Sequence, residues 1–123
     1  MLPIPIIPSL SPPLYHFDGS KNEFGWTVLI MACYNGWPDI ARLLIAVDGS
    51  AEHLRIQNEN GDTALMIAVN NGYTDIVREL IAADGSVEHI RMQNKYRNKA
   101  LDTGNYEIKV LLIAAVEAAA GAE

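Results

Sequence analysis

Residues 61–81 read GDTALMIAVNNGYTDIVRELI, and residues 25–45 read GWTVLIMACYNGWPDIARLLI. The two stretches share one pattern displaced by 36 positions (61 − 25 = 36), and the internal glycines Gly36 and Gly72 keep that offset. The segments that follow them, DGSAEHLRIQNENG and DGSVEHIRMQNKYR, match in the same way. A fixed period of this size in a short chain predicts a repeat architecture, in which each unit is one supersecondary element.

Each unit is predicted to contain two helices separated by a tight turn. Gly36 follows the last periodic residue of the first helix, which is typical of a helix C-cap. Pro38 stands in the first turn of the second helix, where its missing N–H costs nothing. Thr27 and Thr63 precede the first apolar positions and are predicted N-caps or first-turn residues. The second helix carries apolar residues at i, i+3, i+4 and i+7 from Ile40, so one face of it is predicted to be buried.

The segment after the second helix predicts an enlarged loop. Asp48 and Gly49 form a turn dipeptide that ends the helix. Ser50 is then placed to cap a short helical turn. Residues 56–61 are polar and are predicted to form a hairpin that leads into the next unit.

The third unit is shorter than the other two. Arg97 stands where they have glycine, and Lys99 replaces the threonine. The spacing from Arg97 to Gly104 is seven (104 − 97 = 7), whereas the second unit has eleven (72 − 61 = 11). Four residues, about one helical turn, are therefore missing from its first helix. We predict that residues 97–104 are the weakest part of the fold and that a helix follows over residues 107–119.

These units resemble the ankyrin repeat, a turn followed by two antiparallel helices. The family's opening T-P-L-H-x-A corresponds to Thr27-Val-Leu-Ile-Met-Ala32 and Thr63-Ala-Leu-Met-Ile-Ala68, without its proline and histidine. The acidic-Ile-Val run that follows corresponds to Asp39-Ile-Ala-Arg-Leu-Leu44 and Asp75-Ile-Val-Arg-Glu-Leu80. Each unit exceeds the usual length of about 33 residues, and the excess falls in the DGS segment. The resemblance implies an all-α fold, a short ankyrin-type solenoid of helix-turn-helix repeats joined by hairpin-like loops.

The predicted organisation is a leader followed by one repeat domain. A Pro-rich flexible leader covers residues 1–17, where the prolines forbid a continuous helix. DGSKNEFG, just after it, resembles DGS…QNENG with six middle residues missing, and is either the remnant of a repeat or a coincidence. The ankyrin repeat domain is predicted at residues 18–123, with repeats at about 25–60, 61–96 and 97–123.

Stacking dictates the core positions of a repeat array, so variation concentrates on turn tips and on the inner face of each first helix. By resemblance, these positions are the predicted partner-binding residues: Glu23, Phe24, Trp26, Tyr34 and Asn35 in the first unit, Glu59, Asn60, Asp62, Asn70 and Asn71 in the second, and Lys95, Tyr96 and Asn98 in the third. Aromatic residues are enriched at interface hot spots, which favours binding at the first unit. The alternative is that Phe24, Trp26 and Tyr34 cover an otherwise exposed first repeat.

No pattern of an enzyme is found in the sequence. His53 and His89 share a repeat position, but equivalent atoms of stacked units are about 10 Å apart, too far for one metal ion. Cys33 has no histidine and amide or carboxylate arrangement near it and is interpreted as a partly buried small hydrophobe. Phosphate-binding, nucleophile-elbow and zinc-binding spacings do not occur. We therefore predict no catalytic activity, no cofactor and no metal.

The composition bounds the class of partner. The net charge of −6 argues against a surface that neutralises phosphates or an anionic membrane. The single cysteine, Cys33, excludes an internal disulfide and suits a reducing compartment. The apolar run over residues 108–120 contains Lys109 and Glu117 and is shorter than the roughly 20 residues that a spanning helix needs. These features predict a cytoplasmic protein without nucleic-acid or membrane partners.

The predicted function is a non-catalytic protein–protein interaction module of ankyrin-repeat type, which binds another protein through its loop tips and inner helix face. The alternative is a truncated or degenerate fragment of a larger ankyrin array without independent binding activity. Terminal repeats need a polar outer face, and the last helix departs from this rule. The departure favours the alternative. It also leaves open self-association through this uncapped C-terminal helix. Its crowded apolar residues are Val110, Leu111, Leu112, Ile113 and Val116.

Overall fold

The computed structural model of this chain describes Lys21 and residues 25–121. Residues 1–17, predicted to be the leader, lie outside the described residues, as do Glu23 and Phe24. Within the described part no β-strand occurs, and the fold is all-α as predicted. The helices are α1 (Val28–Asn35), α2 (Pro38–Val47), α3 (Ala51–Leu54), α4 (Ala64–Asn71), α5 (Thr74–Ala83), α6 (Val87–Ile90) and α7 (Tyr106–Gly121).

Helices α1 and α4 are the first helices of the two intact units, and they pack against each other. The Thr27 hydroxyl accepts a hydrogen bond from the Ile30 N–H at 3.0 Å, and Thr63 caps α4 in the same way. Each helix ends at a glycine in the left-handed region, Gly36 at φ 72° and Gly72 at φ 76°. The predicted N-caps and C-caps are confirmed. Most of both helices is buried, so they form the centre of the core.

Helices α2, α5 and α7 form a second row, in which α2 packs on α5 and α5 packs on α7. Pro38 is the first residue of α2, as predicted. Leu44, Leu80 and Leu112 hold equivalent positions in the three units and are buried against the first row. The hydrophobic core therefore lies between the two rows.

The enlarged loop contains a single helical turn in each intact unit, α3 and α6. Ser50 and Ser86 cap these turns through their hydroxyls. The histidine inside each turn is buried in the loop, where its Nδ1 lies 2.6 Å (His53) or 2.7 Å (His89) from the carbonyl oxygen of the aspartate that ends the preceding helix. The insertion thus packs on itself and leaves the helix rows uninterrupted.

The third unit has a 3₁₀ turn, Ala100–Asp102, in place of a full first helix. The Lys99 N–H donates to the Asp102 carboxylate at 2.7 Å, and Ala100 is buried. Helix α7 follows and continues two residues past the predicted end at position 119. None of the described helices combines the length and apolar character needed to cross a membrane.

Candidate partner-binding groove

A cavity of about 270 Å³ opens between the hairpin tips and the inner face of the first helices. We call this cavity the groove. Its apolar floor is formed by Met66 and Ile67 of α4, which are almost fully buried. Its remaining walls are aromatic on one side and largely carboxamide on the other. The groove therefore combines an apolar base with a polar rim.

The groove brings together residues that are far apart in the sequence. Asn35 does not line it, and its amide donates to the Met31 carbonyl at 2.9 Å on the same helix. Glu59, Lys95 and Tyr96 are exposed on the hairpin tips without lining it. The predicted partner-binding residues that do line it are Trp26, Tyr34, Asn60, Asp62, Asn70, Asn71 and Asn98.

Trp26 and Tyr34 form the aromatic wall of the groove. Their rings pack edge to face, with centroids 5.3 Å apart and planes at 81°. Trp26 was predicted at an accessible binding position, but it is buried, because only 3% of it reaches solvent. Tyr34 is half-buried. The pair both covers the first unit and borders the groove. Its position therefore agrees with both interpretations, a binding surface and a cover for the first repeat.

Asn58 and Asn94 fix the shape of the hairpin tips. The Asn58 side-chain oxygen accepts the backbone N–H groups of Asn60 and Asp62 at 2.9 and 3.0 Å. Asn94 makes the equivalent pair of bonds in the next unit and also donates its amide to the Asp62 carboxylate at 2.9 Å. Asparagine favours such local turns because its side chain can replace a backbone partner. The repeated Gln-Asn dipeptide before each tip was the signal that the sequence analysis missed.

Consecutive tips are stacked in direct contact. The Lys95 N–H donates to the Asn60 carbonyl at 2.9 Å across the two hairpins. The Gln57 amide bridges in the same direction to the Gln93 carbonyl at 3.0 Å. These bonds join the two hairpins directly along the rim of the groove.

Three carboxamides on the groove have no partner within the described part of the chain. The side chains of Asn60, Asn70 and Asn98 make no hydrogen bond there, whereas the Asn71 amide donates to the Ile67 carbonyl at 3.1 Å. A carboxamide offers two donors and one acceptor. The groove thus presents unused donors and acceptors beside an apolar floor.

Lys99 and Thr103 also line the groove and were not predicted. Both belong to the shortened third unit, where they flank the 3₁₀ turn on either side. Their place depends on how far the third unit folds back, which no local pattern reports.

The described residues do not assemble a metal or nucleophilic site. Among them, no three His, Cys, Asp or Glu side chains converge. Burial raises the pKa of the Cys33 thiol, so Cys33 stays protonated and unreactive inside α1.

Comparison with known proteins agrees with this architecture. The family model for ankyrin repeats (3 copies) matches residues 6–93. The match begins upstream of Gly25 and ends at residue 93, so it covers the first unit and all but the last three residues of the second, and leaves out the shortened one. A search of the curated proteins found no match. Ankyrin repeats generally act as protein–protein interaction modules. Two stacked helix-turn-helix units with capped ends and hairpin tips, together with a match over most of the sequence, show that this chain belongs to the ankyrin-repeat family.

Proposed function

We propose that this chain is a non-catalytic binding module whose groove receives a segment of a partner protein. The observation that carries the proposal is the set of three unpartnered carboxamides, Asn60, Asn70 and Asn98, around the floor formed by Met66 and Ile67. Interfaces combine an apolar centre with a polar rim in this way.

The groove suits an uncharged, extended peptide segment. A peptide group has one donor and one acceptor, and a carboxamide can pair with both. The cavity of about 270 Å³ is slightly below the roughly 300–1,000 Å³ of small-molecule sites. We therefore expect one apolar side chain of the partner to sit on the floor while its backbone pairs with the rim.

The electrostatics of the chain support the same class of partner. The net charge of −6 disfavours nucleic acids and anionic membranes. The buried thiol of Cys33 suits the reducing cytoplasm that we propose as its compartment.

Selection from a library of random linear peptides displayed on phage tests the proposal. The immobilised full chain should enrich peptides that lose affinity for the variant Asn70→Tyr. Tyr34 holds the equivalent position in the first unit, so a tyrosine is tolerated in this frame and would fill the groove. Losing one or two hydrogen bonds, together with the blocked floor, should weaken binding about tenfold or more.

The matched control is Glu52→Tyr, which adds the same ring at an exposed position of α3 that does not line the groove. Enriched peptides should bind this control as they bind the unchanged chain. Peptides that bind the Asn70→Tyr variant equally well would refute the groove as the site. A failure to enrich any peptide would favour the alternative, a fragment of a larger array without independent binding activity.

A further inference from the structure

We propose that the outer face of α2, defined by Ile40, Leu43 and Val47, is a docking surface for the chain's own residues 1–17. This surface lies on the second row of helices and is separate from the groove. Equivalent positions of the three units differ in exposure, and the leader keeps the repeat register.

The same isoleucine position is buried in two units and open in the first. Ile76 of α5 is 1% exposed and Ile108 of α7 is 0% exposed, whereas Ile40 of α2 is 36% exposed. Helix α5 has α2 before it and α7 has α5 before it. No described element precedes α2 in this row. The exposed side of Ile40 is therefore the surface that a preceding element would cover.

Leu43 and Val47 continue this face along the helix and are 61% and 59% exposed. In the second unit the position of Leu43 is held by Glu79, whose carboxylate accepts a hydrogen bond from Arg42 of the preceding helix at 3.3 Å. This position thus points towards the preceding element. A leucine at this position favours an apolar neighbour, whereas a glutamate favours a charged one.

Residues 1–17 have the composition and the register of that neighbour. They contain no Asp, Glu, Lys or Arg, and Leu10, Leu14 and Phe17 are among their apolar residues. They are followed directly by Asp18-Gly19-Ser20, and in both intact units the matching Asp-Gly-Ser directly follows the second-row helix. In the repeat register, the residues before Asp18 therefore correspond to the second-row helix of a preceding unit, the element that would pack on α2. The family match also begins within this segment, at residue 6.

The prolines decide how such a segment would cover α2. Pro8, Pro12 and Pro13 exclude a regular helix, and a polyproline-type strand rises about 3.1 Å per residue. Helix α2 has 10 residues, which span about 15 Å. Five or six extended residues can therefore run along the whole face. A covalent tether also raises the effective concentration of the segment to roughly millimolar, which favours it over a second copy of the chain.

A spin label in the leader tests this proposal on the full chain. Ser11→Cys provides a reactive thiol, because the native Cys33 is buried. A nitroxide attached there should broaden the methyl signals of Leu43 and Val47 until most of their intensity is lost. The methyl signal of Ile113, which is exposed on α7 at the other end of the row, is the internal control and should keep its intensity.

A second variant confirms that the apolar face is what holds the leader. Leu43→Glu with Val47→Ala installs the residues that the second unit carries at these positions, Glu79 and Ala83. In the labelled chain this change should restore the intensity of the Ile40 methyl signal while the thermal melt still shows a folded protein.

Two outcomes would overturn the proposal. Undiminished Leu43 and Val47 signals in the labelled chain would show that the leader does not reach α2. Broadening that arises only between molecules, when labelled chains are mixed with isotopically enriched unlabelled ones, would identify a second copy as the occupant instead.

Discussion

Each hairpin tip turns through a residue with a positive φ angle: Gly25 at 79°, Gly61 at 80° and Arg97 at 64°. A Cβ atom on Gly61 would lie 2.8 Å from the backbone nitrogen of Lys95, so the stacked hairpin leaves no room for a side chain. Arg97 is tolerated because no further hairpin stacks on it within the described chain. Glycine is thus required at position 61 for two reasons: the turn needs a positive φ angle, and the hairpin of the next unit leaves no space for a side chain.

This difference gives opposite expectations for two substitutions. Gly61→Ala should lower the free energy of unfolding by at least about 1–2 kcal/mol, because it adds left-handed strain and a contact that the hairpin cannot relieve. Arg97→Gly should raise it by up to about 1 kcal/mol, since only strain is removed. Urea titration measures both. Equal and small effects would show that stacking does not constrain the tips.

His89 gives the fold a dependence on pH. Burial lowers the pKa of His89, and the nearby Arg55 lowers it too, although the Asp84 carbonyl and carboxylate act in the opposite direction. Its Nε2 is buried without a hydrogen-bond partner among the described residues, so a second proton there would go unpaired. A lowered histidine pKa means that the stability is present above the ordinary value of about 6.5 and is lost as pH falls below it.

We therefore expect the free energy of unfolding to fall between pH 7.5 and pH 5.5, and to fall less in His89→Gln. Asp84 does not interfere in this range. Its burial raises its pKa, but hydrogen bonds from Arg55 and Ser86 bring that pKa to about 2, so it stays ionised. Urea titration at the two pH values is the measurement. An unchanged pH dependence in His89→Gln would assign the effect to another group.

At the scale of the elements, the sequence predicts the helices well because their ends carry local signals. Thr27, Gly36 and Pro38 act through bonds or backbone angles that depend only on their neighbours. The groove is less predictable, because it forms where separate units meet. Whether Trp26 points outwards or packs under Tyr34 depends on a tertiary contact that has no local signal. The role of Asn58 in the hairpin was predictable from the sequence, because the same Gln-Asn dipeptide recurs at Asn94.

The third unit is expected to open most easily. Its 3₁₀ turn has 3 residues where α4 has 8, and the bond from the Thr103 N–H to the Ala100 carbonyl is long at 3.4 Å. Few buried contacts and few backbone bonds mean local opening at low free energy. Hydrogen exchange should find the amides of residues 98–106 weakly protected and those of residues 65–68 slow. Similar protection in both segments would contradict this expectation.

At the scale of the whole molecule, the two rows of helices form two different surfaces. The first row and the hairpin tips form the groove, while the second row ends in exposed apolar positions on α2 and α7. The crowded apolar residues of α7 leave self-association through this helix open. Leu112 is used by the core, and Val110 and Ile113 remain about half exposed, so self-association through α7 stays a prediction.

The central claim is that the groove recognises a peptide segment, and side-chain amide signals in two-dimensional NMR test it most directly. On titration with a peptide enriched by the full chain, we expect the amide signals of Asn60, Asn70 and Asn98 to shift and saturate together. The backbone amides of Leu43 and Val110, on the outer faces of α2 and α7, should stay in place. Shifts confined to those outer faces, with the three asparagine amides unmoved, would contradict the account.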